Sequence, residues 1–134
     1  MQFNFLIFIY WAARLLSAII LLQTLVFKFG GNEESVYIFS VLGMEPWGRW
    51  IIGCLELGVA VLMLINATAW LGAMGGILLM GGALFVHFFV LGINVQGDGG
   101  YLFFLAWVIL LCSLWMLYYN RDRVFYFLLN LKRK

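Results

Sequence analysis

Three ionisable residues sit inside otherwise apolar stretches of this 134-residue chain: Arg14, Glu56 and His87. Glu56 is the most telling of them. It lies in residues 46–66, where the only other charge is Arg49, near the start. A carboxylate at membrane depth costs roughly 2.5–3.5 kcal/mol on insertion scales. It must therefore face protein or water, take a partner, or take up a proton. Histidine titrates near neutrality, and desolvation raises a carboxylate toward the same range. Glu56 and His87, with Lys28 or Arg14, are thus candidates for binding a polar headgroup or moving protons. A second reading makes Arg14 and Glu56 an ion pair that pins the first span to the second, because either charge buried alone would be costly. A third leaves Glu56 or His87 bonded to backbone with no further role.

Depth along a helix, at about 1.5 Å per residue, orders these groups. Measured from the outer helix ends, His87 is about 8 Å down, Glu56 about 15 Å and Arg14 about 20 Å. Gln23 matches His87 in depth and joins the candidate set, as does Lys28. All of them could line one cavity descending from the outer face. The flanking small residues agree: Gly53 and Ala60 beside Glu56, Ser17 and Ala18 beside Arg14, and Ala83 beside His87 let neighbouring helices approach.

Several chemistries are poorly served. A bis-histidine haem site needs two histidines and the chain has one. Glu56 and His87 alone are too few ligands for a metal. The dinucleotide glycine motif is absent, and the GDGG at 97–100 is a loop signal. Cys54 and Cys112 stand singly in apolar segments and read as packed thiols. No metal and no intrinsic cofactor is expected.

The elements that position these residues follow from composition. Hydrophobic residues make up 66% of the chain and charged ones 10%, more apolar surface than a soluble domain of this size could hide. The expectation is a single all-α domain over 1–134, a four-helix transmembrane bundle with spans near 3–27, 46–66, 68–92 and 101–120. Each is long enough for about 30 Å of hydrocarbon. The first span lacks a basic leader and reads as a retained helix. Residues 33–42 predict a short interfacial helix, N-capped by Asn32, with Glu33 and Glu34 in its first turn. The tail from Arg121 predicts an interfacial helix held by its basic ends. A very short 66–68 turn makes the second and third spans a hairpin. Gly72 and Gly76 form a GxxxG packing face.

Lys and Arg cluster at the C-terminal end: Arg121, Arg123, Lys132, Arg133 and Lys134, against Lys28 and Arg49 in the other loops. This is a topology signal and not a nucleic-acid one. It predicts both termini on the cytoplasmic side. Glu34, Glu45 and Asp98 then face outward as polar loop candidates.

The order of several short motifs resembles the DoxX-like family of small four-helix membrane proteins. These are Arg14 in the first helix before Lys28-Phe29-Gly30, Gly53-Cys54-Leu55-Glu56-Leu57 in the second, and a Gly-rich third ending in His87. Gly43-Met44-Glu45-Pro46-Trp47-Gly48-Arg49 and Gln96-Gly97-Asp98-Gly99-Gly100 resemble a bacterial subgroup. The resemblance implies a bacterial inner membrane and association with quinone-linked membrane redox systems, hence an accessory subunit with a quinone or headgroup pocket. Its partners would be oxidoreductase subunits or further copies of itself, besides the lipid bilayer. The absence of paired thiols favours no activity in the isolated chain. A small-solute transporter and a purely structural or assembly subunit are the alternatives.

Overall fold

The computed structural model describes residues 4–133. Among these the chain is all-helical. Helix α1 runs Phe5–Phe29, α2 Glu33–Val41, α3 Trp47–Leu64, α4 Ala69–Val86, α5 Tyr101–Tyr119 and α6 Arg121–Lys132. A π-helical turn, His87–Leu91, continues α4. The helix α1, α3, α4 with its continuation, and α5 are each long and apolar enough to cross a membrane. They carry Ile19, Val26, Phe89 and Leu111 on their outer surfaces, where only lipid could cover them. This is a multi-pass integral membrane protein.

The four long helices close a ring, with α1 on α3, α3 on α4, α4 on α5 and α5 back on α1. Its core is built from Ala18, Leu21, Ala60, Met63, Ala73, Ile109 and Met116. Glycines set the spacing of α4. A Cβ at Gly72 would lie 2.6 Å from the backbone nitrogen of Met63, and one at Gly76 would strike Ser113 Oγ. The expected GxxxG face is thus the contact of α4 with α3 and α5.

Predicted and observed ends agree to within a few residues. Helix α2 starts where its cap predicts, with Asn32 Oδ1 accepting from the Glu34 N–H at 3.0 Å. No residue of α6 is fully buried, and the helix touches the bundle mainly through Phe127 on Trp70, as an interfacial helix would.

Candidate functional site

Helices α1 and α3 run antiparallel, and each supplies an arginine that caps the other's C-terminus. Arg14 of α1 donates from Nε to the Met63 carbonyl at 2.7 Å and from Nη1 to Asn66 Oδ1 at 2.7 Å. Arg49 of α3 donates from Nη1 to the Lys28 carbonyl in the last turn of α1. The final carbonyls of a helix have no partners within it, and they form the negative end of its dipole. A guanidinium meets both needs.

Arg14 is only 1% exposed. Its guanidinium lies 4.0 Å from the Trp11 ring centroid and 5.4 Å from that of Tyr10. Ring faces and carbonyl dipoles therefore balance its charge, without a carboxylate. Tyr10 in turn stacks on Tyr119 at 4.2 Å and accepts a bond from Asn120 at 2.9 Å. At this end of the bundle Arg14 holds α1 to α3, while its Nη2 is buried with no hydrogen-bond partner among the described residues.

The expected Arg14–Glu56 ion pair does not form. Glu56 pairs instead with Lys28, Nζ to Oε2 at 2.9 Å. The reason is register. Met63, which Arg14 caps, stands seven residues beyond Glu56, about 10 Å along the helix axis. Lys28 comes from the opposite end of α1, so its stem reaches inward while the Arg14 head is held at the far end of α3.

Thr24, one turn before Lys28, joins the pair. Its hydroxyl lies 2.8 Å from the Leu21 carbonyl and 3.3 Å from Glu56 Oε2. It has one proton and two lone pairs. It can donate to a carboxylate, or donate to Leu21 and accept from a protonated Glu56. The site thus accommodates either charge state of Glu56.

His87 begins the π-helical turn. Its Nδ1 lies 2.9 Å from the Gly92 carbonyl. A carbonyl only accepts, so Nδ1 carries the proton. In the neutral ring Nε2 is then a free acceptor; in the imidazolium it is a donor. Phe103 packs edge-on against the ring at 5.6 Å.

Lys28, Glu56 and His87 line one cavity of about 430 Å³, together with Glu34 and Ser35 of α2. Toward mid-bundle the walls are apolar: Ile20, Leu21, Leu79, Met80, Ala106 and Ile109. Lys28 and Ile20 are eight residues apart on α1, so the polar and apolar ends are separated by about 12 Å. The size falls within the ~300–1,000 Å³ of small-molecule sites. Helix α2 and the residue that follows it cover the cavity with Ile38, Phe39 and Leu42.

The other candidates lie elsewhere. Gln23 is exposed and does not line the cavity; its neighbour Thr24, about 100° around the helix, takes the inward place. Glu45 is bound by Arg49, whose Nε donates at 2.8 and 3.0 Å to its two oxygens. Asp98 holds the loop before α5 by accepting from the N–H groups of Val95, Gly100 and Leu102. Burial pushes its carboxyl pKa up, but those three bonds and nearby His87 bring it below the usual Asp value.

Thr24, Ser35 and Arg49 went unremarked as site residues in the sequence. Thr24 carried a usable signal, since Arg14, Ser17, Leu21, Thr24 and Lys28 recur at helical spacing on one face. Among the described residues no three His, Cys, Asp or Glu side chains cluster as a metal site would require. Comparison of the chain with protein-family models, curated proteins and solved structures finds no match.

Proposed function

We propose that this protein holds a quinone-type amphiphile within the membrane and serves as an accessory subunit of a membrane redox system. The observation that carries the reading is the cavity, polar at the Lys28–Glu56 pair and His87 and apolar below it. An amphiphile with a small neutral head and a hydrocarbon chain matches that division. A small polar solute would gain nothing from the apolar floor.

The residues fit such a head. Lys28 Nζ donates to a ring carbonyl, and His87 Nε2 accepts from a hydroxyl or, once protonated, donates. Glu56 accepts, and Thr24 supports it in either protonation state. An anionic head is disfavoured, because Lys28 is already matched by Glu56 and Glu34 adds a second carboxylate. When bound, a quinone supplies two-electron carrier chemistry; these side chains orient its head and exchange protons with it. The DoxX-like resemblance supports the redox setting, and the basic C-terminal end supports a cytoplasmic location for both termini.

The test is native mass spectrometry of the purified protein titrated with a short-chain quinone. Wild type is expected to bind one equivalent. Gly82 lines the cavity, and a Cβ there meets nothing within 4 Å, so Gly82→Leu should reduce binding with folding intact. Glu56→Gln should weaken it. Binding unchanged in both variants would refute the reading.

A further inference from the structure

The face that carries both ends of the described chain has a second recess, independent of the cavity. It is a groove of about 580 Å³ between α6 and the start of α4, lined by Ala67, Trp70, Asp122, Arg123, Tyr126 and Phe127. Asp122 and Arg123 are both exposed, and neither enters an ion pair among the described residues. Arg123 Nη1 donates to the Asn66 carbonyl at 2.7 Å. That bond fixes the guanidinium beside the α3–α4 turn and leaves its remaining N–H groups free. Trp70 packs on Phe127 with centroids 5.1 Å apart, closing the groove's apolar wall.

Depth identifies what this groove meets. Helix α6 exposes Phe125, Leu128, Leu129 and Leu131, and its basic residues Arg121 and Lys132 flank them. Such a helix lies in the membrane interface, apolar side down. Trp70 and Tyr126 are the amphipathic rings that favour this level. The groove therefore opens among lipid headgroups, presenting a cation held by its bond to Asn66 and, on the adjacent residue, an exposed anion.

We propose that the groove binds a zwitterionic phospholipid headgroup bearing a primary amine, as in phosphatidylethanolamine. The phosphate pairs with Arg123, the ammonium donates to Asp122, and the glycerol end lies against Trp70, Tyr126 and Phe127. A guanidinium suits phosphate oxygens through several directed N–H groups. A net-anionic headgroup meets the Asp122 charge with no cation of its own. A choline headgroup has the charge but no proton to donate to the carboxylate.

The experiment uses full-length protein, delipidated in mild detergent. It is offered an equimolar mixture of phosphatidylethanolamine, phosphatidylcholine and phosphatidylglycerol with identical acyl chains, and read by native mass spectrometry. Wild type should retain phosphatidylethanolamine about tenfold over the other two, the ratio expected of one charge-assisted hydrogen bond. Asp122→Asn should bring the three lipids to parity, with melting and short-chain quinone binding unchanged. Arg123→Gln should weaken all three. Equal retention by wild type, preference for phosphatidylglycerol, or a preference that survives Asp122→Asn would each overturn the proposal.

Discussion

A double-mutant cycle on the two candidate partners of Glu56 separates the observed packing from the pairing that sequence alone favours. The Lys28–Glu56 bond is 2.9 Å long, with the two side chains 16% and 6% exposed. Removing one member of such a pair leaves a charge with nothing to face, a loss of about 3–5 kcal/mol when the survivor is fully buried. Lys28→Leu strands Glu56, so about 3 kcal/mol is expected, the low end of that range. Glu56→Leu should cost less, about 2 kcal/mol, because Lys28 stands in the last turn of α1 and can extend its amine toward the interface. The double variant should cost about 3 kcal/mol, giving a coupling of about 2 kcal/mol, within the range for contacting residues. Arg14 and Glu56 share no partner, so Arg14→Leu and Glu56→Leu should add to within about 0.5 kcal/mol. Reversible unfolding in detergent micelles, followed by circular dichroism, measures both cycles. Coupling between Arg14 and Glu56 that equals or exceeds that between Lys28 and Glu56 would refute the reasoning.

Two further outcomes follow from the bonds described. Arg14→Lys keeps the charge but loses the two-pronged cap on Met63 and Asn66, so it should destabilise by about 2 kcal/mol and lower the melting temperature nearly as much as Arg14→Met; full rescue by Lys would show that charge alone matters. Asp98→Asn should cost about 1 kcal/mol at neutral pH, the worth of a cap. The Asp98 pKa is lowered in the folded protein, so its contribution is complete above the ordinary Asp value and fades only as pH falls below it, through the folded pKa. The gap between wild type and Asp98→Asn should therefore hold from pH 7 to 5 and narrow in more acidic buffer; a gap that widens on acidification would contradict this.

Much of the architecture was legible because membrane helices obey a length rule. Residues 3–27, 46–66, 68–92 and 101–120 announced themselves by uninterrupted apolar character, and Asn32 marked the start of α2 as a capping residue should. The site was legible only in part. Lys28, Glu56, His87 and Glu34 do share one cavity. Gln23 does not, because depth alone cannot say which way a side chain points, and one residue turns it by about 100°. The Arg14–Glu56 pairing failed for a related reason. Depth counted from the outer ends placed the two within about 5 Å of each other along the bundle, but the Arg14 head is drawn to the free carbonyls at the end of α3. Reciprocal capping depends on the register of one helix against another, which no local pattern encodes. Glu45 and Asp98, read as outward polar groups, are taken up by Arg49 and by the backbone before α5.

The central claim is that the space between Lys28, Glu56 and His87 and the apolar floor near Ile109 holds an amphiphile, head at the polar end. Photo-crosslinking tests it most directly, with a quinone analogue carrying a diazirine at the end of its chain and peptide mapping of the labelled protein. The account predicts labels on the floor residues, such as Leu79, Met80 and Ile109, displaced by excess unlabelled quinone and diminished in Gly82→Leu. Labels spread over lipid-facing residues such as Ile19, Phe89 and Leu111, undiminished by competitor, would contradict it.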